Sequence, residues 1–242
     1  MLKAKLTDNL AGLTISGDHE DLDKLYDAIS HLIKGEPNTI QEYTMQNHLY
    51  GFLYDVRHAY QGDREIELID NWVSEDVRKW HGFKKSEITD RNAYFSFNYP
   101  LPDILLDMVL IQHFIRKVHK KENDIYNPYI NIVNLFYSIA LDPLYQVLAP
   151  GKFNTIKKGL LESVVPVKSF CPQWFQMITC DYLKWPKDKR LKHLPKIADE
   201  IYNFIEYEDY ANIKIDTDNY CKKNNCTLDD VTMGEYPTEI IW

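Results

Sequence analysis

The chain has 242 residues, 45% of them hydrophobic and 26% charged, and a formal net charge of −8. That length supports one sizeable core or two small ones, in the composition of an ordinary globular protein. The acidity argues against non-specific nucleic-acid binding, and no run of 18 apolar residues offers a membrane span, the most apolar segment being interrupted by Asp107 and Gln112.

The first residues, Met1 to Thr7, carry no apolar core of signal-peptide length, so a cytoplasmic location is expected. Cys171, Cys180, Cys221 and Cys226 then read as reduced thiols. Their spacing does not fit a structural zinc, and a Cys221–Cys226 disulfide would belong only to an exported chain.

In chain order, residues 2–6 and 13–16 alternate apolar and polar around a five-residue connection, which predicts an antiparallel hairpin. Asp18 caps a helix with Asp21 in its first turn. Leu22, Leu25, Tyr26, Ile29, Leu32 and Ile33 form its core stripe, and Gly35 and Pro37 end it. A second helix is expected from about Glu42 to Tyr60, with Leu49, Phe52, Leu53, Val56 and Tyr60 on one face. Gly62 suits its C-terminal cap. Beyond it, Ile66 and Leu68 alternate with Glu65 and Glu67, as in a short strand with one wet face.

Val73, Val77 and Trp80 suggest a short helix ending at His81-Gly82; residues 84–92 read as a loop, and residues 93–99 as a strand stopped by Pro100. Pro102 opens a helix that is apolar on nearly all sides, the expected centre of the core, with His113 a satisfied core histidine. Arg116, Lys117, His119, Lys120 and Lys121 complement that helix's dipole.

Asn127-Pro128 begins another helix, broken or kinked at Asp142-Pro143. Helices are expected over Phe153–Val164, Pro172–Lys184 and Leu194 to about Tyr207. The acidic stretch from Asp199 to Asp218 reads as a solvated helical face, with a basic partner as the alternative. Asp216 and Asp218 do not make a calcium loop, because Cys221 stands where the turn glycine belongs. Thr227 to Asp230 looks like a capped turn, and Trp242 is either tucked in or a handle. Strands before residue 100 and helices after it give an α+β fold: a small antiparallel sheet on helices, then a mainly helical half, in one domain of residues 1–242 divided at about residue 100.

The densest ionisable cluster with local structure is the helix-turn-strand corner around Gly62. It gathers Asp55, Arg57, His58, Asp63, Arg64 and Glu65. Asn47, Gly51, Tyr54 and His58 share the far side of the helix from its apolar stripe, where Gly51 would permit close approach of a ligand or chain segment. Two readings stand open. Arginine–carboxylate forks could simply lock the turn. Alternatively, a carboxylate orients His58 as acid or base while an arginine holds an anionic group.

No phosphate-binding glycine loop, Gly-x-Ser-x-Gly elbow or His-Glu-x-x-His pair occurs. No cofactor is expected and no metal site is assigned. The segments Gly12–Leu22, Tyr54–Glu65 and Tyr94–Phe97 resemble a family of uncharacterised bacterial cytosolic proteins sharing the string Tyr-Asp-x-Arg-His-Ala-Tyr-x-Gly-Asp-Arg-Glu. The resemblance covers about the first half and implies no activity. The leading expectation is therefore a non-enzymatic interaction or regulatory protein of immunity, defence or stress type, with a protein partner among its 17 tyrosines. The alternative is a hydrolase or phosphodiesterase using Asp55, Arg57 and His58, assisted by a metal at Asp63 and Glu65.

Overall fold

The structure, a computed structural model, describes all residues except 85–86 and 123–125, and not the side chains of 121 and 122. Its sheet has four antiparallel strands: β1 (Lys3–Leu6), β2 (Gly12–Gly17), β3 (Glu65–Asp70) and β4 (Arg91–Pro100), in the order β1-β2-β4-β3. β4 is the organising strand: Ile15 pairs with Phe97 on one side of it, and Ile66 with Phe95 on the other. The fold is α+β, with the strands confined to the first hundred residues.

Helix α1 (His19–Ile33) is capped as expected, by reciprocal hydrogen bonds of Asp18 and Asp21 with each other's backbone. Helix α2 (Ile40–His58) buries Leu49, Phe52, Leu53 and Val56. It runs into a single π-helical turn, Ala59–Asp63, in which Gly62 has φ +87°, so the left-handed conformation falls where glycine is needed. Pro100 closes β4, and α4 (Leu101–Glu122) begins at the next residue. Leu105, Met108, Leu110 and Ile111 on α4 are fully buried, so this helix lies at the centre of the core. Phe52 meets the Tyr99 ring edge-on at 5.1 Å, joining α2 to the sheet.

The remaining helices are α5 (Pro128–Val147), α6 (Pro150–Glu162), α7 (Pro172–Lys184), α8 (Lys187–Tyr202) and α9 (Glu208–Asn224), with the short α3 (Glu75–His81) between β3 and β4. Pro143 does not break α5, which continues to Val147. Helix α8 starts seven residues earlier than its apolar pattern suggests and carries Pro195 inside it. The acidic segment continues into α9, so Asp216 and Asp218 sit on a helix rather than in a loop. Trp242 is tucked in: its carbonyl accepts from the Asn9 amide at 2.8 Å, and buried Arg190 donates to the Asn9 and Ile241 carbonyls.

His113 departs from the expected satisfied histidine. Its Nε2 has no hydrogen bond, lies 3.6 Å from Glu42, and burial holds its pKa below the usual range. Two members of the basic cluster are engaged: Arg116 donates to the Ser163 and Leu161 carbonyls at the end of α6, and Lys117 to Glu42. The side chain of Lys121 lies outside the described residues.

Candidate functional site

The corner around Gly62 closes by two crossed pairs. Arg64 donates to Asp55 Oδ1 at 2.6 Å, and His58 Nδ1 lies 2.8 Å from Asp63 Oδ2. The carboxylate that orients His58 is therefore Asp63, five residues on, and not Asp55. Nε2 is the ring nitrogen left for a ligand. The Tyr54 ring packs 4.0 Å from His58, and the Arg57 guanidinium lies over the same tyrosine at 5.7 Å. Among the described residues Arg57 makes no ion pair, and its Nε is buried without a hydrogen bond. Glu65 is exposed on β3, across from Ser96.

The residues on the far side of α2 have different surroundings. Gly51 is exposed, with nothing within 4 Å of where a Cβ would stand. Asn47 donates instead to Asp229, 182 residues away in sequence. It belongs to a second place.

The expected wet and dry faces of β3 are also not observed. Ile66 is 53% exposed and Leu68 58%, so both faces of this edge strand meet solvent. Helix α3 likewise buries Arg78, 3.7 Å from Asp90, and leaves Val77 and Trp80 outside. Trp72 and Trp80 are 88% and 87% exposed. Trp72 also holds a left-handed φ of +63°, a conformation that costs a non-glycine residue about 1–3 kcal/mol. Asp70 stabilises that turn by accepting from the Trp72 N–H at 2.6 Å.

The second place is a cleft of about 370 Å³ between α2, α4, α7 and the segment 228–236. Asp103 and Asp107 stand one turn apart on α4 and are both buried. His48 of α2 faces Asp107, with Nε2 3.1 Å from Oδ1, and is itself a cleft residue. The Tyr99 hydroxyl faces the same carboxyl, though neither Asp107 oxygen has a well-directed hydrogen bond among the described residues. The Thr179 hydroxyl of α7 donates to Asp103 Oδ1, and Tyr236 bonds the same carboxyl group.

The segment that walls the cleft is fixed by side chains of α7. Gln173 donates to the Leu228 and Val231 carbonyls, and Gln176 accepts from the Met233 N–H at 2.9 Å.

Burial pushes the Asp103 carboxyl up to about 6, against the pull of His48 and the Thr179 hydrogen bond. Burial pulls the His48 imidazole down, but the Asp107 carboxylate outweighs it and the net direction is up.

A model of a domain of unknown function, DUF6904, matches residues 2–242. The chain belongs to the DUF6904 family. The match runs through the helical half that the sequence resemblance left uncovered. No curated protein and no solved structure matches this DUF6904 chain.

His48, Asp103 and Asp107 were not among the sequence candidates. A signal for two of them existed: two carboxylates spaced i, i+4 inside the most apolar helix demand buried partners. Nothing local connects either of them to His48, which lies beside Leu49 of the α2 core stripe.

Proposed function

We propose that this protein is a non-enzymatic, cytoplasmic interaction module, folded as one domain, that takes up a partner along β3 and α3. The observation that carries this reading is the exposure of Trp72, two residues beyond β3, and of Trp80 on α3, together with the place of β3 at the edge of the sheet. Aromatic anchors of this kind dominate the energetics of protein interfaces, and a free strand edge presents unpaired backbone donors and acceptors. A single cluster of buried residues from Leu2 to Tyr210 agrees with one domain.

The occupant is an extended segment of another protein, apolar on one face and basic on the other. Ile66 and Leu68 offer one face of β3 an apolar contact, and Glu65 and Glu67 offer the other face negative charge. No cation pairs with Glu65 or Glu67 among the described residues. An added strand would bring its own alternation into register with both. A second copy would instead bring the same carboxylates to the same edge.

The hydrolase reading, resting on Asp55, Arg57 and His58, receives less support. Asp55 is held by Arg64, and Arg57 stacks on Tyr54.

Selection from a displayed library of random extended peptides tests the proposal. Enriched sequences are expected to alternate apolar residues with lysine or arginine, and to lose binding to Trp72→Ala/Trp80→Ala and to Glu65→Lys/Glu67→Lys. Failure to enrich any sequence, or equal binding to both variants, overturns it. A concentration-dependent dimer in sedimentation that Leu68→Lys dissolves would overturn it too, assigning the edge to a second copy.

A further inference from the structure

The cleft between α2, α4, α7 and the segment 228–236 has a charge pattern that packing alone does not explain. Asp103 and Asp229 line it, and Asp107 stands directly behind His48. His48 is the one titratable cation among the lining residues, and no lysine or arginine is among them. Buried carboxylates ordinarily find a lysine, an arginine or several hydrogen bonds. Asp107 is 1% exposed, and only His48 and the Tyr99 hydroxyl face it, neither making a well-directed hydrogen bond to its oxygens. Asp103 is more than nine-tenths buried, yet it borders the cavity, and its partners are the hydroxyls of Thr179 and Tyr236.

These two hydroxyls orient the Asp103 carboxyl without neutralising it. That is an arrangement preorganised for a positive charge brought from outside. The cavity, at about 370 Å³, is in the range of small-molecule sites. Its other lining groups, Asn47, Gln173, Gln176, Thr44 and Thr232, are neutral hydrogen-bonding side chains. An anion would meet carboxylates on two walls. A bare metal ion is also a poor fit, since no group of three or more His, Cys, Asp or Glu side chains among the described residues could hold one. An alkylammonium needs no such set: one carboxylate, neutral acceptors and an aromatic wall suffice.

We propose that this cleft binds a small organic cation, a primary amine whose ammonium group pairs with Asp103, with Asp229 supplying further negative charge and the Tyr236 ring a wall. His48 is a positioning residue: held by Asp107, it sets the cleft's charge and its remaining ring nitrogen, Nδ1, is available to the ligand. Asn47 has a role here as well, fixing Asp229 through its amide at 2.8 Å. The proposal is independent of the strand-edge reading, because β3 and α3 contribute no residue to the cleft.

Calorimetric titration of the full chain with methylammonium, putrescine and spermidine at pH 7.5 tests it, with sodium acetate and sodium chloride at matched ionic strength as controls. At least one amine is expected to bind with 1:1 stoichiometry and to raise the melting temperature. Asp103→Asn, which keeps the oxygen that Thr179 needs, is expected to weaken that binding by at least about tenfold. Asp229→Asn is expected to weaken it less. The imidazole resonances of His48 should shift on saturation, a response that a purely structural role would not produce. No saturable binding of any of the three amines overturns the proposal. Binding that survives both Asp103→Asn and Asp229→Asn overturns it as well, since it would reflect the acidic surface at large. So does tighter binding of acetate than of the amines.

Discussion

Lys117 Nζ lies 2.5 Å from Glu42 Oε1, and the Glu42 side chain is 2% exposed. The pair joins α2 to α4, and the Asn38 N–H gives the other carboxylate oxygen a second donor at 2.7 Å. Burial pushes the Glu42 carboxyl up, but Lys117 and the Asn38 N–H outweigh it, so the net direction is down from 4.5. Lys117→Met leaves a buried charge unpaired and is expected to cost about 2–4 kcal/mol in urea unfolding. Adding Glu42→Leu to it should recover part of that loss. A lowered folded-state pKa gives stability above the unfolded carboxyl pKa that disappears as pH falls through the folded one. Wild type should therefore lose stability relative to Glu42→Gln only below about pH 4.5.

Asp103 behaves in the opposite sense. Its carboxyl is raised from 3.8 to about 6, chiefly by burial. Its contribution to stability is full below pH 3.8 and is lost as pH rises to the folded value. Asp103→Asn cannot ionise. Its stability relative to wild type should therefore climb between about pH 4 and 6.5, by roughly 3 kcal/mol in all. Denaturant unfolding at several pH values would show it, and a difference that stays constant across that range would refute it. An amine bound at Asp103 should shrink the difference, because it stabilises the ionised carboxylate.

The crossed pairs of the Gly62 corner are partly exposed on both sides. Pairs in that setting are worth about 0–1 kcal/mol. His58→Ala and Asp55→Ala are each expected to cost no more than about 1 kcal/mol in equilibrium unfolding. A loss of 2 kcal/mol or more, on the order of a buried hydrogen-bonded group, would make the corner a structural lock instead.

Trp72 holds its left-handed conformation while almost wholly exposed, so it gives little burial in return. Trp72→Gly should therefore leave stability unchanged or raise it by about 0.5–1 kcal/mol, even though glycine loosens the unfolded chain. The same substitution should abolish selection of peptides at the β3 edge. Stability gained while binding is lost marks a residue kept for an interface; a fall of more than 1 kcal/mol would show that the ring supports the fold.

What the sequence made legible was what periodicity and capping encode. The Asp18 cap, the α2 stripe from Leu49 to Val56, Gly62 and the central helix α4 all follow from local pattern. β3 misled because alternation of Ile66 and Leu68 reports a strand but not what covers it. Helix α8 ran past its apolar pattern because its first turns are Lys- and Arg-rich, with Arg190 buried on main-chain carbonyls. At the corner, spacing brought Asp55, His58, Asp63 and Arg64 together but could not say which would pair. The cleft was beyond local reading, since His48, Asp103, Thr179 and Tyr236 come from four segments that meet only in the folded chain.

Two helical glycines separate packing from propensity. Gly51 of α2 has open space where a Cβ would stand, whereas at Gly159 of α6 a Cβ would fall 2.2 Å from the Tyr202 ring. Gly51→Ala should raise stability by about 0.5–1 kcal/mol, the ordinary gain of alanine over glycine in a helix. Gly159→Ala should instead lose about 1–3 kcal/mol, because the ring of Tyr202 is buried and has to shift. Thermal unfolding of the two variants decides both. If Gly51→Ala stabilises the protein and leaves peptide and amine binding intact, no ligand or chain segment uses the gap at Gly51. The exposed side of α2 is then divided between Asn47, which serves the cleft, and Tyr54, which serves the corner.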